Sequence, residues 1–349
     1  MLQARDDQRQ CRELLRRNSR TFHLASLLLP AAVRAPASAL YAFCRVADDA
    51  VDLAGDGGGH TVDRLRVRLD RVYAGRPADH APDRAFADVV GRFAIPRTVP
   101  EALLEGFDWD LAGRRYETIG ELHDYGARVA GSVGAMMAAI MGVREPQVLE
   151  RACDLGVAMQ YTNIARDVGE DARAGRLYLP LAWMREEGLD PEAWLLAPAP
   201  GSRLAAVIRR LLEAADLLYR RADAGIGCLP ADCRPAMHAA RRLYAEIGRT
   251  VESNGYDSVT RRAVVPTGRK LSLLARAVAE SASSTPWTRE PGMPQTAYLV
   301  EALVSGNALR NLVPEPRGLE ARVAWLVDLF GRLEALEHGP RPQRSSAGS

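Results

Sequence analysis

The chain has 349 residues, 47% of them hydrophobic, which is enough for a large buried core. Lys+Arg 46 against Asp+Glu 44 leaves a net charge of +2, too balanced for nucleic acid as a bulk partner. Its Cys 5 form no Cys-x-x-Cys pair and no histidine spacing suited to zinc, so they read as free thiols in a reducing cytoplasm.

The first residues lack the apolar core of a secretion signal, and no uncharged run approaches the ~20 residues of a membrane helix. The expectation is a cytoplasmic protein, at most peripheral on an inner membrane. Lys270 is the single lysine. A GC-rich genome accounts for most of the arginines; those beside acidic motifs suit phosphate, which a guanidinium grips with a planar fork.

In chain order, helical patterning predicts segments at 36–54, 60–74, 100–113, 118–142, 146–171, 201–225, 231–254, 268–281 and 317–337. Leu204, Val207, Ile208, Leu211, Ala215 and Leu218 show the three- and four-residue recurrence of one buried face. Strand signals are scarce. Gly55 to Gly59, Gly75 to Pro77 and Ala197 to Gly201 read as turns, and Asn254-Gly255 as a helix stop. A longer loop is expected from Ser281 to Pro294. The expected architecture is all-α, one domain over 1–338 with its site between facing helices, and a disordered tail at 339–349.

The first acidic stripe lies on the segment that carries Tyr41, Arg45, Asp48, Asp49 and Asp52. Asp48 and Asp52 are four apart and share a helix face, where like charges repel unless something sits between them. The apolar surroundings, Leu40, Phe43, Cys44 and Val46, argue against a solvated face, because buried carboxylates need a cation or an arginine. About a hundred residues later, Gln160, Asn163, Arg166, Asp167 and Asp171 form a second stripe. Carboxylates beside an amide oxygen suit a hard divalent cation, and two such stripes facing each other suit metal-assisted chemistry on a diphosphate. The segment after the second stripe, with Arg173, Gly175, Arg176 and Tyr178, reads either as a loop that closes over an anion or as an exposed helix end.

These residues carry a resemblance. Tyr41-x-x-x-Arg45-x-x-Asp48-Asp49-x-x-Asp52 and Gln160-x-x-Asn163-Ile-x-Arg166-Asp167-Val-x-x-Asp171-x-x-x-Gly175-Arg176-x-Tyr178-Leu-Pro180 resemble the squalene/phytoene synthase family, in its bacterial phytoene-forming branch, from about Cys11 to about Lys270. Asn18, Ser19, Arg20, Thr21 and Phe22 are similar to the family's phosphate-binding segment, with Thr21 in place of a serine. Tyr125 to Gly134 is similar to its small-residue helix along the lipid cavity, and Tyr244 and Arg261 fall where late residues touch the diphosphate.

The resemblance implies a helical bundle of the isoprenoid synthase type with a central cavity. It implies head-to-head joining of two geranylgeranyl diphosphates through prephytoene diphosphate to phytoene, the first committed step of C40 carotenoid synthesis. It also implies magnesium, with manganese as a substitute, held by Asp48, Asp52, Asn163 and Asp167, and supported by Asp49 and Asp171. Asn18, Ser19, Arg20, Thr21, Tyr41, Arg45, Tyr125, Gln160, Arg166, Arg176, Tyr178, Tyr244 and Arg261 would bind substrate. No NADPH is expected. Product release at a membrane and hand-over to downstream carotenoid enzymes are the partner expectations. Ser26, near the phosphate segment, would leave depth for a C20 tail.

Three alternatives stand beside this reading. A squalene or dehydrosqualene synthase would use farnesyl diphosphate. A metal phosphohydrolase is prompted by His123-Asp124, although the histidines show no converging spacing and His123 reads as a helix-surface residue. A non-catalytic helical scaffold would leave its acids as surface decoration.

Overall fold

The computed structural model describes residues 2–53, 60–281 and 290–306. These lie within one unit, and among them there is no strand. The helix expected at 317–337, the glycine-rich turn at 55–59 and the tail at 339–349 lie outside the described residues, as does most of the loop expected after 281.

The chain opens with α1 (Leu2–Asn18), α2 (Arg20–Ser26) and α3 (Ala31–Asp52). It continues with α4 (Thr61–Tyr73), α5 (Ala81–Arg92) and α6 (Thr98–Leu111). The segment expected at 118–142 is α7 (Ile119–Gly126), a π turn at Ala127–Gly131 and α8 (Ser132–Ile140), three pieces of one continuous rod. Then come α9 (Pro146–Arg173), two short helices α10 (Leu181–Glu186) and α11 (Pro191–Leu196), and the long α12 (Ser202–Gly227) and α13 (Arg234–Ser253). α14 (Thr267–Glu280) and α15 (Ala297–Ser305) complete the described chain.

α1, α2 and α5 lie outside the expected segments, although α5 buries Phe86, Val89 and Val90 on one face. α1 buries only Asp7, Cys11 and Leu15, and Asp7 is held by Arg84 of α5 at 2.6 Å. α5 starts at a proline-marked first turn and contributes Phe86, stacked on Phe43 of α3 with ring centroids 4.1 Å apart. α3 begins at Ala31, five residues before the expected start, and tolerates Pro36 in its second turn.

α9 is the central rod, packed against α12, α8 and α13. Glycines set its closest contacts. A Cβ on Gly156 would lie 2.2 Å from the carbonyl oxygen of Ala130, and one on Gly134 2.2 Å from that of Ala152. The two helix backbones therefore touch where the rod α7–α8 crosses α9. α9 ends in a Schellman motif: Gly175, at φ +75°, donates to Ala172 O, and the Arg176 amide donates to Asp171 O at 2.8 Å. That turn directs Arg176 and Tyr178 back along the helix they follow. The expected stop at Asn254-Gly255 is present, with Gly255 at φ +70°. No helix among the described residues is long and apolar enough to cross a membrane.

Candidate active site

The two acidic stripes face each other. Asp48 and Asp52 at the end of α3, and Asn163, Asp167 and Asp171 on α9, line one polar pocket of about 200 Å³. Gln160, Arg166, Arg176, Tyr125, Tyr178 and Asp110 line it too, with Val51 and Ile164. The stripes are joined directly by Arg176, whose guanidinium donates to Asp52 Oδ1 at 3.0 Å.

Arginines hold most of these acids. Arg45 donates to Asp48 Oδ2 at 3.1 Å and also pairs with Asp49. Arg166 reaches its own neighbour Asp167 at 2.8 Å, and Arg262 reaches the same oxygen at 2.9 Å. Arg262 is delivered by a close approach on α9. Gly169, between Asp167 and Asp171, lets the backbone of Val259 lie where a Cβ would be 2.5 Å away. Its amide donates to Ser258 O at 2.9 Å. Arg261, expected at the diphosphate, and Arg262 are both exposed, and Arg262 is the one that pairs with Asp167.

The charge balance is uneven across the pocket. Burial, with repulsion from Asp52, pushes Asp48 up to about 6. Burial and repulsion from Asp167 push Asp171 up to about 7. Burial raises Asp167 too, but hydrogen bonds from Arg166 and Arg262 outweigh it and hold the group below its ordinary value. Carboxylates crowded enough to resist ionisation, together with the buried and unpartnered Oδ1 of Asn163, make a hard oxygen donor set that fits a divalent cation. Among the described residues no three Asp, Glu, His or Cys side chains are gathered around one point, and guanidiniums pair with Asp52 and Asp167.

Gln160 and Asn163 also line a second space, an apolar cavity of about 310 Å³ that shares this wall with the polar pocket. Its lining includes Leu40, Tyr41, Val133, Met137, Met159 and Tyr244. Ala130, Gly134 and Gly156 line it as well, so the small residues both admit the helix crossing and leave room inside. Ser26 is buried in the cavity wall, its hydroxyl donating to His23 O at 2.7 Å.

The phosphate segment stands beside these spaces. Ser19 caps α2 by accepting the Phe22 amide at 3.2 Å, and Asn18 donates to Leu14 O, closing α1. Phe22 packs on Tyr244, with ring centroids 5.0 Å apart, and on Tyr41 at 6.2 Å. Arg20 is exposed and Thr21 half-buried; none of residues 18–21 lines the polar pocket. Asp49 turns to Arg45 and is likewise outside that lining. His123, expected on a helix surface, is half-buried, its Nδ1 lying 2.8 Å from the Tyr161 hydroxyl.

Sequence spacing missed Asp110 and Arg262. Asp110 ends α6 with no acid one turn away to mark it, yet it accepts from Tyr178 at 2.7 Å and from Tyr125 at 3.1 Å.

The sequence profile of the squalene/phytoene synthase family matches residues 15–269. The chain belongs to that family. It is 52% identical to a protein named phytoene synthase from Rhodobacter capsulatus, over 96% of this chain and 98% of that one. A phytoene synthase from Cereibacter sphaeroides is 49% identical over 96% of this chain and 95% of the relative. Among solved structures, a dehydrosqualene synthase crystallised with a ligand superposes with a TM-score of 0.72 at 30% identity, covering 79% of this chain and 96% of that chain. The architecture is thus the all-helical bundle of the squalene/phytoene synthase family, with the two pockets described above at its centre.

Proposed function

We propose that this chain joins two geranylgeranyl diphosphate molecules head to head, through prephytoene diphosphate, to phytoene, the first committed step of C40 carotenoid synthesis. The carrying observation is the shared wall: Gln160 and Asn163 border both an acid-lined pocket and an apolar cavity. A prenyl diphosphate has the same two halves. Asp48, Asp52, Asn163 and Asp167 would hold magnesium, or manganese in its place, with Asp171 in support. Such ions supply Lewis-acid neutralisation of charge on the departing diphosphate.

The chain's own residues do the remainder. Arg45, Arg166, Arg176 and Arg262, now spent on carboxylates, exchange those partners for phosphate oxygens when substrate arrives. Gln160 donates from the border of the two spaces. The apolar lining excludes water from the allylic cation and contributes about 0.8 kcal/mol per buried methylene of the tail. Tyr41 and Tyr244, which line the cavity beside Asn163, present rings to developing positive charge, an attraction of roughly 0.5–2 kcal/mol. A product with no polar group leaves through contact with a membrane surface or a downstream carotenoid enzyme.

Identity favours a C20 substrate, since the relatives near 50% carry the phytoene synthase name and the dehydrosqualene synthase stands at 30%. Incubation with geranylgeranyl diphosphate, farnesyl diphosphate or both, with magnesium, followed by chromatography, tests the reading. The expected result is a C40 hydrocarbon as the main product. Prenyl alcohol plus diphosphate would point to a hydrolase, and exclusive C30 product to the farnesyl-using reading. Ser26→Phe, which fills the cavity wall, should raise the C30 share of a mixed incubation.

A further inference from the structure

Asp110 is the acid in the polar pocket that belongs to neither stripe. Its two oxygens are engaged separately, Oδ1 by the Tyr178 hydroxyl at 2.7 Å and Oδ2 by the Tyr125 hydroxyl at 3.1 Å. The two rings stack, with centroids 5.2 Å apart and planes at 25°, and both line the pocket. Tyr116 backs them, 5.2 Å from Tyr125 and 6.4 Å from Tyr178. The strand of chain bearing Tyr178 is fixed there by backbone bonds from Leu181 to Tyr116 O at 2.9 Å and from Ala182 to Glu117 O at 3.0 Å. No arginine is bonded to Asp110 among the described residues, unlike Asp48, Asp52 and Asp167.

A carboxylate that accepts a phenol's hydrogen draws that proton partly away and leaves the ring richer in electrons. An electron-rich ring face attracts a cation more strongly. The reacting carbon of a prenyl diphosphate is one bond from the oxygen it loses, so its cation arises beside the diphosphate pocket. We propose that Asp110 is a positioning residue that holds the Tyr125 and Tyr178 rings in a fixed stack and makes them electron-rich, so that this aromatic wall stabilises the allylic cation. The proposal rests on the prenyl-joining reading above. Asp110 touches neither substrate nor cation in it; the rings do.

The test is a mutant cycle on the full chain, comparing Asp110→Ala and Asp110→Asn with Tyr125→Phe and Tyr178→Phe, alone and combined. Thermal midpoints check folding, and binding of an unreactive thiol-linked geranylgeranyl diphosphate analogue is measured beside kcat and KM. Asp110→Ala should lower kcat about tenfold or more while KM and analogue affinity stay within about twofold. Asp110→Asn, which keeps an acceptor for one tyrosine, should fall between. In the Tyr178→Phe background Asp110→Ala should cost clearly less than it does alone. Full additivity in both phenylalanine backgrounds, or an equal loss of analogue affinity, would overturn the proposal. The wild-type yield of C40 hydrocarbon tests the underlying reaction separately, so a failure of one is distinguishable from a failure of the other.

Discussion

The polar pocket and the apolar cavity share Gln160 and Asn163 but are built on opposite principles. The cavity is walled by close backbone contact: Ala130, Gly134 and Gly156 line it and let the rod α7–α8 touch α9. That wall is set by backbone contact. The pocket is made by opposition. Five acids from three helices are turned toward one space, and arginines pair with three of them, Asp48, Asp52 and Asp167. One region is closed by backbone contact; the other concentrates opposed charge in one space.

Removing a pocket acid should give the largest effect. Asp48→Ala and Asp167→Ala should each lower steady-state turnover by about three orders of magnitude, equivalent to ~4 kcal/mol of barrier, with helical circular dichroism unchanged. Turnover within a few-fold of wild type would return the acids to surface decoration.

The cavity should instead answer to added bulk. Gly156→Ala places a Cβ 2.2 Å from the carbonyl oxygen of Ala130, and neither backbone can yield easily. Chemical denaturation should show a loss of about 1–3 kcal/mol. An unchanged midpoint would mean that the α8–α9 crossing is looser than its contacts imply.

The third expected effect is smaller and separates the regions by pH. Asp48 and Asp110 are raised to about 6 and Asp171 to about 7. Between the ordinary carboxylate range and these values the folded chain keeps protons that the unfolded chain has lost. Without divalent cations, these groups therefore make stability fall as pH rises from about 4 to about 7. Magnesium should restore it, raising the thermal midpoint by a few degrees at pH 8 and hardly at all at pH 5. Chelation should reverse the gain, and Asp171→Asn should shrink it. An equal magnesium effect at both pH values would contradict the crowded-acid account.

Much of the pocket was legible before any coordinates because helix periodicity is a strong signal. Asp48 and Asp52, and Asn163, Asp167 and Asp171, project along one face simply by recurring every four residues. Lone contributors leave no such mark. Asp110 has no acid one turn away, and the choice of Arg262 over Arg261 depends on how Val259 lies across Gly169. The π turn at Ala127–Gly131 is equally silent, since the flanking residues read as one helix. The Asp7–Arg84 pair that joins α1 to α5 is likewise a long-range contact with no local signature.

In the proposed reaction, opposed acids would gather a diphosphate through divalent cations. Calorimetric titration of the thiol-linked geranylgeranyl analogue, with and without magnesium, tests it most directly. Magnesium should tighten binding by about tenfold or more in the wild-type chain and leave it unchanged in Asp167→Ala. Equal affinity with and without magnesium in the wild-type chain would contradict it.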